Sequence, residues 1–148
     1  MTNEPISHSL VQSLRAIPDF SGLKEAELLS IVGESMNLFW KEGSSIFRAG
    51  QAGEALYVVL SGEVSIEDPD RGEVARLTPG MFFGEISLLL KAVHSKTAVA
   101  VTGCEILVLP KETFSNLLAT NPAIKSHFDD IVLRRRERHP LDATTSPR

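Results

Sequence analysis

The sequence predicts an α+β domain in which a β-rich body lies between helical segments at its two ends. Three patterns predict this class. Apolar residues recur at helical spacing in residues 10–32, short β-branched and aromatic runs lie between glycines in residues 37–110, and helical spacing returns in residues 111–138. Because helices and strands do not alternate, the order does not fit a parallel βαβ fold. About seven or eight short strands at this spacing indicate a sandwich, a roll or a barrel.

Two helices are predicted before the β-rich body. The first has apolar residues at helical spacing from Leu10 to Ile17, and Pro18 ends it. The second covers residues 23–32, with Ser21 as a candidate cap and Gly33 at its end.

The β-rich body consists of strand-like runs separated by glycine turns. The segment DPDRGE, between two alternating runs, predicts a hairpin, and GEISLLL after Gly84 predicts a short helix. Cys104 lies in the last run and is predicted to be buried and unreactive. The predicted strand runs are NLFW, SSIFRA, ALYVVLSGEVSIED, EVARLTPG, TAVAVTG and CEILVLP.

The C-terminal part predicts a short amphipathic helix in KETFSNLLATN and a longer helix that begins at Pro122. The last segment, PLDATTSPR, has few apolar residues and two prolines, which indicates a disordered tail or linker. We therefore divide the chain into a flexible N-terminus at residues 1–8, a domain at residues 9–138 and a tail at residues 139–148. The apolar stripe of the longer helix is Ile124, Phe128, Ile131 and Val132.

Composition excludes several classes of function. The chain has 148 residues, a formal net charge of −4 and one cysteine. The acidic balance argues against nucleic-acid binding, and a lone cysteine excludes an internal disulfide. We find no apolar run of membrane-spanning length and no secretory pattern, so we expect a cytoplasmic protein without membrane insertion. The four histidines are scattered and no catalytic motif is present, so we expect no catalysis, metal or cofactor.

Residues 80–100 contain the strongest site signal. Gly80 and Gly84 permit positive φ and a close approach of the backbone to a ligand. The first amides of a helix after Gly84 can bind an anion. Glu85 lies in that first turn, where its carboxylate is suited to accept a hydrogen bond from a sugar hydroxyl. Taken alone, the same pattern is also typical of a glutamate that only caps a helix.

Two ordered blocks resemble the cyclic nucleotide-binding domain, a module of the catabolite activator protein, of the regulatory subunits of cyclic-AMP-dependent kinase and of nucleotide-gated channels. The blocks are GSSIFRAGQAGEALYVVLSGEVSI at residues 43–66 and PGMFFGEISLL at residues 79–89. The resemblance extends over residues 10–138. It implies an antiparallel β-roll of eight or so strands between N-terminal helices and C-terminal helices B and C, with FGEISLLLKAVHSKTAV as the phosphate-binding cassette.

The resemblance also implies roles for individual residues. In this family a glutamate holds the ribose 2′-hydroxyl, amides of the short helix bind the cyclic phosphate, and an arginine further along pairs with that phosphate. Glu85 matches the glutamate, and the arginine position falls on His94. A register shifted by two residues places Lys96 there instead. The implied ligand-binding residues are Phe83, Gly84, Glu85, Ile86, Ser87, His94, Ser95, Lys96 and Thr97.

Neither register supplies an arginine. A histidine with an ordinary pKa near 6.5 is mostly neutral at pH 7, and losing a charge-assisted contact to a bound anion costs about ten- to a hundredfold in affinity. Lys96 is expected on the same face as His94 if the segment is extended, so it is a candidate replacement. The arginines of LRRRER are candidates to stack on the base, and they equally complement the C-terminus of a helix.

The sequence therefore predicts a non-catalytic regulatory module that binds a cyclic nucleotide, cyclic AMP in preference to cyclic GMP, and signals by movement of its C-terminal helix. The expected partners are that nucleotide and an effector domain, a partner protein or a second copy bound through the C-terminal helix. The alternative is a degenerate domain that has lost the ligand and acts as a structural or protein-interaction module. A different small anion in the same cleft also stays open.

Overall fold

The computed structural model describes residues 10–12, 14–15 and 20–138 of the chain. The predicted flexible N-terminus and C-terminal tail lie outside these residues, as do Pro18 and Ile17. The helices are α1 (Glu25–Glu34), α2 (Glu85–Leu89), α3 (Lys111–Thr120) and α4 (Pro122–Arg138), and residues 10–12 and 14–15 are also helical. The strands are β1 (Met36–Trp40), β2 (Ser45–Phe47), β3 (Ala55–Ser61), β4 (Val64–Asp68), β5 (Gly72–Leu77), β6 (Phe82–Phe83), β7 (Thr97–Ala100) and β8 (Cys104–Pro110).

The strands form two four-stranded sheets. One sheet has the order β1-β8-β3-β6 and the other has the order β2-β7-β4-β5. Each described pair of strands is antiparallel. The predicted fold class, an antiparallel roll between helical segments, is confirmed.

The central strands β3 and β8 are buried on both faces. In β3, Leu56 and Val58 belong to a core shared with the helices, whereas Tyr57 and Val59 belong to the core inside the roll. The same alternation places Leu107 of β8 in the helical core. A strand covered on both sides reads as a continuous apolar run rather than an alternating one, which explains the sequence of these two strands.

An aromatic cluster joins the C-terminal helix to the rest of the domain. Phe128 of α4 is fully buried. Its ring centroid lies 5.1 Å from that of Phe114 in α3, 5.2 Å from that of Phe82 in β6 and 6.1 Å from that of Phe20. The predicted apolar stripe of this helix is confirmed, because all four of its residues are buried: Ile124, Phe128, Ile131 and Val132.

Several local predictions are confirmed and others are corrected. The DPDRGE hairpin joins β4 to β5, with Gly72 at a φ of +77°, and Cys104 is buried. Helix α1 is not capped by Ser21: it begins after Lys24, whose backbone N–H donates to the Glu27 carboxylate. The helix also continues past Gly33 to Glu34, and the two-residue strand β6 was too short to leave a periodic signal.

We expect Phe128→Ala to lower the free energy of unfolding by about 3–5 kcal/mol, because the deletion leaves a cavity among three aromatic rings. Leu133→Ala on the same helix is the matched control, since Leu133 is 55% exposed; we expect it to change stability by less than about 0.5 kcal/mol. Urea unfolding followed by circular dichroism measures both. Equal losses in the two variants would contradict the described packing of α4.

Candidate functional site

The candidate site is built on the turn from β6 into α2. Gly84 precedes the helix with a φ of +88° and a ψ of −3°, a left-handed conformation that favours glycine. A Cβ at this position would lie 2.9 Å from Cδ1 of Tyr57 and 3.1 Å from the carbonyl oxygen of Ala55. Both the backbone angle and the close approach therefore require glycine, and they fix where the next residue begins the helix.

Glu85 is the first residue of α2 and is fully buried. A fully buried acidic residue is uncommon, because it is costly to take a carboxylate out of water. Next to it, Ile86 is half-buried and Ser87 is 7% exposed. The turn thus directs Glu85 and Ser87 inward.

Ser87 and His94 form a buried hydrogen-bonded pair. The Ser87 Oγ lies 2.8 Å from Nδ1 of His94, and the imidazole is only 4% exposed. The His94 ring also stacks on Phe47, with ring centroids 3.6 Å apart and planes within 5° of each other. His94 therefore lies inside the roll, and its hydrogen bond to Ser87 joins it to the short helix.

Burial gives His94 a low pKa. The apolar surroundings disfavour the charged imidazolium and lower its pKa from the ordinary value of 6.5 to about 4. The imidazole is therefore neutral at pH 7. The Nε2 atom is buried as well, and no described protein group accepts from it or donates to it.

The backbone of His94 is held by the loop that follows β2. The His94 N–H donates to the carbonyl of Gln51 at 2.8 Å, and the Gly50 N–H donates to the carbonyl of His94 at 2.7 Å. An isolated antiparallel bridge joins Ala52 to Val93. The loop and the segment after α2 therefore form one unit.

The other predicted site residues lie close to this unit. Phe83 is buried inside the roll, 5.8 Å from Phe47 between ring centroids. The Thr97 hydroxyl accepts a hydrogen bond from the Ala49 N–H at 3.0 Å, so this side chain contacts the loop after β2. Ser95 and Lys96 are half-buried, and the Lys96 Nζ lies 3.5 Å from the Ser95 hydroxyl.

Sequence reasoning missed Gly53 and Phe47. A Cβ on Gly53 would lie 2.7 Å from the Ser87 Cβ and 3.1 Å from the Ser87 carbonyl carbon, so α2 packs directly on the Gly53 backbone. The spacing of Gly50 and Gly53 in RAGQAG was the available signal. Nothing in the sequence indicated that Phe47 stacks on His94.

A cleft of about 800 Å³ lies beside the candidate site. It is bounded by residues 52–54, by the end of α2 with the loop after it, and by one side of α3. Ser87 lines it, but Glu85 and His94 do not. The cleft therefore meets the candidate site at Ser87.

The described residues contain neither a metal centre nor a membrane span. No group of three or more histidine, cysteine, aspartate or glutamate side chains is placed to hold a metal ion among them. Within residues 20–138 and the short helical stretches before them, no helix is long and apolar enough to cross a membrane.

We expect acid to destabilise this domain through His94. In the unfolded chain its pKa is near 6.5 and in the folded protein it is about 4, so the unfolded state binds more protons between these values. Stability is therefore full above pH 6.5 and falls as the pH drops towards 4. The loss between pH 7 and pH 5 amounts to about 2 kcal/mol. Urea unfolding at the two pH values measures it.

His94→Gln should remove most of that pH dependence. An acid-induced loss that is the same in His94→Gln and in the wild-type protein would show that His94 does not cause it.

We expect Gly53→Ala to displace α2, because the new methyl group has no room against Ser87. The free energy of unfolding should fall by about 1–3 kcal/mol. Gly33→Ala is the matched control, since a Cβ there meets no atom within 4 Å, and alanine in a helix should raise stability by up to about 1 kcal/mol. Urea titration of both variants tests this difference, and a neutral Gly53→Ala would mean that α2 does not rest on the loop.

Known proteins share the sequence pattern and the fold of this chain. The cyclic nucleotide-binding domain profile matches residues 38–121, more than half of the chain. A putative potassium channel protein of Rhodopseudomonas palustris is 33% identical over 83% of this chain and 30% of its own length. The cyclic AMP receptor protein of Thermus thermophilus is 32% identical over 82% of this chain and 58% of its own length.

A solved structure shares the fold. The regulatory subunit of a cAMP-independent protein kinase A from Trypanosoma cruzi, bound to guanosine, superposes with a TM-score of 0.80 at 23% identity, over 99% of this chain and 53% of that chain. The chain thus spans less than two thirds of each of these proteins. With the glycine turn, the buried glutamate and the profile match together, the chain belongs to the cyclic nucleotide-binding domain family.

Proposed function

We propose that this chain is a non-catalytic regulatory module that binds a cyclic nucleotide inside the roll, cyclic AMP in preference to cyclic GMP. The observation that carries the proposal is the fully buried carboxylate of Glu85 directly after the left-handed Gly84, within the matched part of the chain. A carboxylate accepts hydrogen bonds only, and the ribose 2′-hydroxyl is a donor of the right kind.

The remaining cassette residues have supporting roles in this proposal. Ile86 and Ser87 line the turn with their backbone, and Phe83 supports it from inside the roll. Lys96 is the candidate cation for the cyclic phosphate, because its side chain is half-buried beside Ser95. Thr97 positions the segment by its hydrogen bond to the loop at Ala49.

The proposed signal passes through β6 to the C-terminal helix. Phe83 lies in the core inside the roll and Phe82, its neighbour, lies in the helical core against Phe128. A displacement of Gly84 by a ligand therefore acts on both cores. Helix α4 is the element whose position a ligand would bias, as a two-state switch requires.

The proposed partner is an effector domain or protein, or a second copy that binds through α4. Relatives of this chain include a potassium channel protein and a receptor protein that are longer than the matched segment, which supports a module attached to or acting on another unit. The net charge of −4 supports a partner other than nucleic acid, and the proposal places the module in the cytoplasm.

A second candidate function is a degenerate domain that no longer binds a cyclic nucleotide. The neutral, buried His94 at the position of the family arginine favours it, because the permanent charge for the phosphate is absent there. The guanosine-bound Trypanosoma cruzi neighbour, which is cAMP-independent, also shows that this fold exists without dependence on cyclic AMP. Lack of binding to both cyclic nucleotides at millimolar concentration would favour this candidate.

We expect Glu85→Gln to weaken cyclic AMP binding by about ten- to a hundredfold, because an amide replaces the charged acceptor of the ribose hydroxyl. Glu112→Gln is the matched control: Glu112 also lies in the first turn of a helix but is exposed, so its replacement should leave affinity unchanged. Isothermal titration calorimetry measures both. The ribose role of Glu85 is wrong if the two variants bind cyclic AMP equally well.

A further inference from the structure

The imidazole of His94 is a buried polar group inside the roll, and its hydrogen-bonding needs are poorly matched by a cyclic phosphate. It is 96% buried, since its exposed fraction is 4%. One nitrogen is paired with the Ser87 hydroxyl at 2.8 Å, and the other, Nε2, is buried without a hydrogen-bond partner among the described residues. A buried polar atom of this kind is costly to leave unpaired, so a ligand hydroxyl that reached Nε2 would be stabilised there.

The surroundings of this nitrogen are suited to a neutral group. Phe47 covers one face of the imidazole, and Phe83 and Tyr57 continue the aromatic wall, with ring centroids 5.0 Å apart. Burial keeps the pKa of His94 at about 4, so roughly one molecule in a thousand carries the charged form at pH 7. An anion at Nε2 would therefore lose its hydration without gaining a cation from this residue.

Hydrogen-bond chemistry points in the same direction. If Ser87 donates to Nδ1, then Nε2 carries a hydrogen and needs an acceptor; if Nδ1 donates to Ser87, then Nε2 needs a donor. A hydroxyl both donates and accepts, so it suits either tautomer. A phosphodiester oxygen only accepts and suits one of them.

No described cation is hydrogen-bonded to Nε2 of His94. Arg48 and Lys91 are exposed, and the Lys96 Nζ lies at the Ser95 hydroxyl, 3.5 Å away. Helix α2 has only five residues, so its dipole adds little attraction for an anion. Lys96 is the one of these three cations whose side chain is half-buried, and the experiment below includes it for that reason.

We propose that the Ser87–His94 pair binds an uncharged hydroxyl in place of a cyclic phosphate, so that an unphosphorylated ribonucleoside binds this domain at least as tightly as the matching cyclic nucleotide. The inference rests on the proposed function, because Glu85 still holds the ribose. It changes the class of ligand that the site selects. A nucleoside presents free 3′- and 5′-hydroxyls at the two oxygens that a cyclic phosphate bridges.

Calorimetry on the full chain at pH 7.5 with adenosine, guanosine, cyclic AMP and cyclic GMP tests the proposal. We expect each nucleoside to bind with an affinity equal to or higher than that of its cyclic nucleotide. We also expect one of two analogues, 5′-deoxyadenosine or 3′-deoxyadenosine, to bind at least tenfold more weakly than adenosine. The weaker analogue is the one that lacks the hydroxyl bound to His94. In Ser87→Ala this penalty should shrink, since the imidazole loses the group that orients it.

His94→Arg should reverse the preference. A permanent guanidinium is expected to strengthen cyclic AMP binding about ten- to a hundredfold and to leave adenosine unchanged or weaker. Because an arginine is bulky in a buried position, His94→Gln provides a second variant: it stays neutral and should keep the preference for adenosine. Lys96→Gln should leave the ratio of the two affinities unchanged.

Three results would overturn the inference while the proposed function stands. They are cyclic AMP binding at least tenfold more tightly than adenosine to the wild-type chain, a selective tenfold loss of cyclic AMP binding in Lys96→Gln, and equal binding of adenosine and both deoxy analogues. If none of the four ligands binds at millimolar concentration, the proposed function and the inference both fail. Weaker binding of 2′-deoxyadenosine than of adenosine reports on Glu85 independently.

Discussion

The packing of helix α2 against the loop before β3 is the constraint on which the site depends. The backbone of Gly53 meets Ser87 with no space for a side chain, and Gly84 meets the ring of Tyr57 in the same way. Two glycines thus clamp a five-residue helix that is too short to be stable by itself. As a consequence, Glu85 and Ser87 are both buried at the candidate site.

The two cores of the domain meet at the residues before this helix. Phe82 and Phe83 are consecutive, and strand geometry turns them to opposite faces, so one contacts Phe128 of α4 and the other contacts Tyr57 in the roll. The strand they form pairs with two residues of β3, and two further backbone hydrogen bonds join Val59 of β3 to Gly80 and Met81. Under the proposed function, a short element that belongs to both cores is well placed to transmit a shift from the site to the C-terminal helix.

The sequence predicted the order of the elements well, because the apolar spacings typical of helices and of strands were clear in the longer elements. It could not predict β6, since two residues leave no period, or the start of α1, where the Glu27 carboxylate meets a backbone N–H instead of a serine cap. For the site, the resemblance supplied Glu85 and the position of His94. The stacking on Phe47 and the contact of Gly53 with Ser87 are tertiary contacts between distant segments, and no local pattern encodes them.

In the proposed site, a neutral histidine stands where the resemblance implies an arginine, and this changes which ligand groups the domain can bind. An arginine in that position would place a permanent charge among aromatic side chains, and a buried charge without an opposite partner is strongly destabilising. His94 is neutral, stacks on Phe47 and is hydrogen-bonded to Ser87, so the segment after α2 has much of its stabilisation before any ligand arrives. Much of the cassette is then already ordered before a ligand binds. Under the proposed function, the signal therefore arises from a shift between packed elements, β6 and α4, rather than from folding of the cassette.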